Sequence, residues 1–121
     1  MKRIFFILLF FCMGCSYPSL NGNTYHMQKN NTLIELGFDA KEDKFYGAVS
    51  NRFFGNYALR KDKIQFEVVG TTMMMSPPDI QELEDEFFRD LKEITNYRLE
   101  KDKLILLTKN HKTLVFYRVS K

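Results

Sequence analysis

Residues 56–69, Asn56-Tyr57-Ala58-Leu59-Arg60-Lys61-Asp62-Lys63-Ile64-Gln65-Phe66-Glu67-Val68-Val69, decide the fold class. Ile64, Phe66 and Val68 alternate with Gln65 and Glu67, the period-two pattern of a strand with one buried face. Asn56–Arg60 is a second short run, and Lys61-Asp62-Lys63 between the two is a charged turn of hairpin length. The same unit recurs outward along the chain. Thr24–Gln28 and Leu33–Asp39 flank Lys29-Asn30-Asn31, and Phe45–Val49 follows the charged turn Ala40–Lys44. Tyr97–Glu100, Leu104–Thr108 and Leu114–Val119 complete the series. Short runs at this spacing predict a small antiparallel β-barrel-like sheet of about eight strands. Lys41-Glu42-Asp43-Lys44, Lys61-Asp62-Lys63 and Lys101-Asp102-Lys103 read almost alike. An old hairpin duplication would produce that likeness, and so would three good hairpin turns, the simpler reading.

One amphipathic helix interrupts the strands, inserted before the last of them, which makes the chain mainly β in an α+β arrangement. Ser76 is the expected N-cap, Pro77 and Pro78 fit a first turn, and Asp79 and Glu82 suit the positive end of the helix dipole. Ile80, Leu83, Phe87, Leu91 and Ile94 recur at helical spacing, with Phe88 widening the stripe. Glu84, Asp85, Arg89, Asp90 and Lys92 are assigned to the wet face.

The N-terminus carries an address. Lys2 and Arg3 form a basic head, Ile4–Phe11 is unbroken and apolar, and Met13-Gly14-Cys15 places a small residue before a cysteine. That is an export signal over residues 1–14, and it is too short for a membrane span, which takes ~20 apolar residues. Gly14-Cys15 resembles the lipobox of bacterial lipoproteins, in which the cysteine is acylated. Cys12 stands where that pattern usually has Leu. The expectation is lipidation, with palmitate among the acyl chains, at Cys15, a tether over residues 15–23 and a folded domain over residues 24–121. No Asp follows the cysteine, since Ser16 stands there, so the expected location is the outer membrane facing the periplasm. The alternative is an ordinary secreted protein with Cys15 just past the cut.

The formal charge is +3, but Lys2 and Arg3 would leave with the signal, bringing the mature chain close to neutrality. Such a balance gives no electrostatic footprint for nucleic acid. The two cysteines are Cys12 and Cys15, so a lipidated domain has no thiol for catalysis, disulfides or zinc. Its stability must come from the core.

A family resemblance spans about residues 20–119. Leu20-Asn21-Gly22-Asn23-Thr24-Tyr25, the segment from Gly47 through Ser50-Asn51-Arg52 to Gly55-Asn56-Tyr57, Thr71-Thr72-Met73-Met74-Met75-Ser76, and Leu114-Val115-Phe116-Tyr117-Arg118 fall in the order of the META domain. The chain resembles that family, as in the HslJ heat-shock lipoproteins. Ser50 and Ser76 stand where many members have cysteines. The resemblance implies a small barrel-like fold with one helix on an envelope protein linked to stress and drug tolerance, and no established catalytic residue. On physical grounds Gly47, Asn51, Gly55 and Tyr57 are structural. The glycines permit bulges or positive φ, Asn51 tolerates the left-handed region, and Tyr57 buries its ring.

The remaining candidates favour binding over chemistry. His26 and His111 are the only histidines, and no nucleophile elbow accompanies them. Met73-Met74-Met75 offers soft thioethers suited to Cu(I), yet consecutive side chains diverge, and packing beneath the helix is the commoner use. Glu82, Glu84, Asp85 and Glu86 fit solvated charges near a helix N-terminus better than an acid–base pair. Phe53 and Phe54 are assigned to a loop, with at least one tucked into the core. The sequence therefore predicts no enzyme, no catalytic, cofactor or metal site, a membrane contact through the lipid anchor and an envelope protein as partner. Its rivals are a lipocalin-like carrier of an apolar ligand and an inhibitor of an envelope enzyme.

Overall fold

The computed structural model describes residues 19–119, so the expected export signal and the expected lipidation site, Cys15, lie outside the described residues. The elements are β1 (Thr24–Lys29), β2 (Thr32–Phe38), β3 (Lys44–Ala48), β4 (Arg52–Arg60), β5 (Lys63–Thr71), α1 (Pro78–Glu93), β6 (Ile94–Glu100), β7 (Lys103–Thr108) and β8 (Thr113–Arg118). The strands follow one another in an antiparallel closed barrel, and β8 returns to pair with β1 through Tyr25↔Arg118 and His26↔Tyr117. This is the predicted architecture, with the helix between β5 and β6.

The turns explain the meander. Asn30 and Asn31, with φ of 52° and 63°, make the two-residue connection of β1 to β2 in the left-handed region that Asn tolerates. Strand alternation places the three look-alike charged turns at one end of the barrel. There each Asp carbonyl accepts a backbone N–H from the strand after next. Asp43 O takes Tyr57 N at 3.0 Å, Asp62 O takes Tyr97 N at 2.9 Å and Asp102 O takes Arg118 N at 2.7 Å. Equivalent positions in one meander account for the likeness of the three turns without a duplication.

The core is aromatic. Phe38, Phe45, Phe53 and Phe116 are almost wholly buried. Phe38 meets the ring of Tyr57 at 5.1 Å and Phe45 meets Phe66 at 5.0 Å, both edge to face. That geometry suits the ring quadrupoles. The helix closes the opposite end, where Phe87 lies 5.8 Å from Phe53 and 6.2 Å from Phe116. Between β5 and β6 the barrel is held at a single register position, Lys63↔Asn96.

Several boundaries differ from the sequence reading. β4 starts at Arg52, so Phe53 and Phe54 are strand residues on opposite faces, the first buried and the second exposed. Ile94 is the C-cap and first residue of β6 rather than helical, although it stays buried. The end of the expected tether is part of the fold: Leu20 is buried, and Gly22 N donates to Phe38 O at 3.0 Å. The helix N-cap is Pro77, with no side-chain cap bond, and Ser76 makes a different contact described below.

Candidate functional site

The β3–β4 turn, the segment joining β5 to α1 and the first half of α1 meet at the helix end of the barrel. Glu84 is the joint. It was assigned to the wet face, yet it is only 2% exposed. Its carboxylate accepts Ser50 N at 3.2 Å, Asn51 N at 2.7 Å and Asn51 Nδ2 at 3.0 Å. A buried carboxylate is tolerated when such donors replace water. The spacing carried the signal: Glu84 lies three, four and seven residues before Phe87, Phe88 and Leu91, on the apolar stripe itself. Asp90 is likewise buried, because it lies three residues after Phe87 on the same stripe and meets Lys112 Nζ at 2.7 Å.

Asn51 carries the latch onward. Its Oδ1 accepts Met74 N at 2.7 Å and Thr72 Oγ1 at 3.1 Å. Thr72 is also bonded to Arg52, its N donating to Arg52 O at 2.9 Å and its Oγ1 accepting Arg52 N at 3.0 Å. Ser50 Oγ and Ser76 Oγ are in hydrogen-bonding contact, so the two positions at which the resemblance implied cysteines are neighbours.

The latch clamps an outward arch. Met73, Met74 and Met75 are 90%, 61% and 101% exposed. They do not fill space beneath the helix, because the hydrogen bonds at Thr72, Met74 N and Ser76 fix the backbone on the surface. With Gln81, Asp85 and Phe88 the three line an open groove of about 560 Å³. The sequence reading missed the display because Met is ordinarily a core residue.

The other expected residues lie elsewhere. Of the bulges or positive φ expected at the glycines, a bulge is found at Gly55, and neither Gly47, Gly55 nor Asn51 has a positive φ. The glycines permit close approach. A Cβ on Gly47 would stand 2.2 Å from Glu35 O, and one on Gly55 would stand 1.9 Å from Glu67 O, beside the bulge between Phe54 and Gly55. Tyr57 is buried as expected. Burial, followed by the Asp43 and Asp39 carboxylates, holds its phenol above the ordinary value. His26 Nε2 faces Glu35 Oε1 across β1 and β2 at 3.4 Å, and His111 is exposed in the β7–β8 turn at φ 65°. Glu82 and Asp85 are exposed, while Glu86 pairs with Lys29 at 3.2 Å and Lys112 at 3.1 Å. These hydrogen bonds, the one from Lys112 first, hold the Glu86 carboxyl below its ordinary range. Among the described residues, no group of three His, Cys, Asp or Glu side chains is placed to hold a metal ion. No described helix is long and apolar enough to cross a membrane.

Chemically, the latch commits the Glu84 and Asn51 oxygens to backbone and side-chain donors. What remains free is the arch above them.

Comparison with known proteins agrees with this fold. The chain is similar in structure to a protein from Burkholderia xenovorans solved by NMR, with a TM-score of 0.64 and 21% identity over 90% of this chain and 96% of that one. It is also similar to a DUF4847 family protein from Bacteroides vulgatus ATCC 8482 solved by crystallography, at a TM-score of 0.57 and 18% identity. That match covers 69% of this chain and 57% of the other. Both show the fold alone. A search of curated proteins found no match. The sequence model of the META domain matches residues 18–121, and the chain belongs to the META domain family.

Proposed function

We propose that the chain is a non-enzymatic, HslJ-like envelope lipoprotein that binds a partner protein through the Met73–Met75 arch and serves envelope-stress tolerance or maintenance. The observation that carries this reading is the display of three large apolar side chains on a backbone clamped by Asn51 and Glu84. Exposing apolar area forgoes about 25 cal/mol per Å² of burial, so a rigid, exposed apolar arch fits a docking surface. Its position supports the same reading. Residues 19–23 enter the barrel at the charged-turn end, opposite the end from which the arch projects. An inhibitor of an envelope enzyme is one form such a partnership takes.

The test is site-specific photo-crosslinking in cells, with the photoreactive residue placed at Met73 or Met75 and, as control, at Leu59. A discrete cross-linked species from the arch alone is expected. Equal or absent cross-linking at the three positions would remove the reading. Anchoring is tested separately by palmitate labelling, which Cys15→Ala should abolish and Cys12→Ala should preserve.

A carrier of an apolar ligand is the second reading. It is favoured by the thinly paired β5–β6 seam, where Leu59, Ile64 and Ile94 line a groove of about 620 Å³. The packed aromatic interior weighs against it, since the volume that a lipocalin-type barrel keeps for ligand is filled by rings.

A further inference from the structure

We propose that Met73 and Met75 form a reversible oxidation site, at which a peroxide converts the thioethers to sulfoxides while the barrel stays folded. Among the described residues there is no cysteine, so the methionines are the oxidisable sulfur of this surface. They differ sharply in access. Met73 and Met75 are 90% and 101% exposed, whereas Met27 is partly buried against the core. Susceptibility follows exposure, and the product is a polar, chiral side chain in place of a flexible apolar one.

The step balances with a peroxide as the named oxidant. The thioether sulfur attacks one peroxide oxygen, the O–O bond breaks and an S–O bond forms. Sulfur loses two electrons to the peroxide, and the transferred oxygen gives up its proton to the departing hydroxide, which leaves as water. Methionine sulfoxide reductases reverse the change at the cost of a dithiol, which becomes a disulfide as the oxygen leaves in water.

In most proteins this modification disrupts packing. Here the hydrogen bonds that fix the arch run to Met74 N, Thr72 and Ser76, and none of them uses a sulfur atom. The sulfoxide therefore changes what the arch presents without removing what holds it. Resting on the docking reading above, this makes oxidation a means of releasing an apolar partner.

The experiment treats the mature protein, purified from cells, with graded hydrogen peroxide and follows each methionine by fragmentation mass spectrometry, with thermal unfolding in parallel. Met73 and Met75 should oxidise at least about tenfold faster than Met27. The midpoint should move by less than about 2 °C, and a sulfoxide reductase with a dithiol should restore the starting mass. Met73→Leu with Met75→Leu should remove the fastest phase and leave the slower oxidation of Met74, which is 61% exposed. Equal rates at the arch and Met27, or unfolding that accompanies arch oxidation, would overturn the proposal. Cross-linking and the oxidation order are read independently, so either reading can fail while the other stands.

Discussion

Glu84 Oε2 lies 2.7 Å from the backbone nitrogen of Asn51, and Glu84 Oε1 lies 3.0 Å from the same residue's side-chain amide. One helical carboxylate thus fixes both the main chain and the rotamer of the residue that clamps Met74. Glu84→Ala would leave the buried Asn51 N and the partly buried Ser50 N without their acceptor, and Asn51 Nδ2 with only a long contact to Met74 O at 3.5 Å. It should destabilise the domain by about 2–4 kcal/mol in urea unfolding, because unsatisfied buried donors lose their desolvation cost without return. Glu82→Ala, on the exposed face, should stay within about 0.5 kcal/mol. Equal effects from the two changes would contradict the latch.

The contact between Ser50 and Ser76 gives a second test. Ser50→Cys with Ser76→Cys should form a disulfide under oxidising conditions and raise stability by about 3 kcal/mol relative to its reduced form, as expected for a closed loop of this order of length. Failure to cross-link would place the two segments too far apart for the Ser50–Ser76 contact. The double variant should also keep the arch exposed, which its peroxide reactivity would report.

At Gly47 and Gly55 the obstruction is backbone rather than conformation. A methyl group at either position meets a carbonyl oxygen of the adjoining strand within 2.2 Å. Gly47→Ala and Gly55→Ala should each cost at least about 1–3 kcal/mol by chemical denaturation, the range for overpacking a tight site. Neutral behaviour would mean that β2 or β5 shifts to admit the methyl group.

Lys112 supplies a pH signature. It bonds Asp90 at 2.7 Å and Glu86 at 3.1 Å, and these contacts, Asp90 first, raise its ammonium pKa above the ordinary value of 10.5 while that of Glu86 falls below 4.5. For the raised ammonium, the linked stability is present below pH 10.5 and is lost as pH rises through the folded value. For the depressed carboxyl it is present above pH 4.5 and is lost as pH falls through the folded value. Both groups are over a third exposed, so solvent screening limits the effect to about 1 kcal/mol. Lys112→Met should therefore differ most from wild type between these limits and converge with it below pH 4.5. A difference independent of pH would assign the contribution to packing of the lysine stem.

The fold was legible because period-two runs and charged turns are local signals, and a meander needs little else. Ile64, Phe66 and the Lys61-Asp62-Lys63 turn lie where their pattern put them. Phe53 and Phe54 were harder, since glycines on either side resemble loop punctuation until strand pairing shows that they relieve close approach. The latch was the least legible part. Glu84 carries the residue type of a wet face at the spacing of the apolar stripe, and only the donors brought by the β3–β4 turn reconcile the two. Met73–Met75 misled for the converse reason. Their composition suits a core, while the hydrogen bonds that hold them outside are made by the backbone and by Asn51, thirty-odd positions before the helix residue that fixes it.

The most direct measurement of the central claim is survival, under heat or envelope-active antibiotics, of a strain lacking the protein and complemented by chosen variants. The Met73→Ser, Met74→Ser, Met75→Ser triple variant should fold within about 0.5 kcal/mol of wild type, since the changed side chains are exposed. The account predicts that this stable, correctly located variant fails to complement, while His26→Ala restores survival. Full complementation by the triple variant, or failure of a stable His26→Ala protein, would contradict a function carried by the methionine arch.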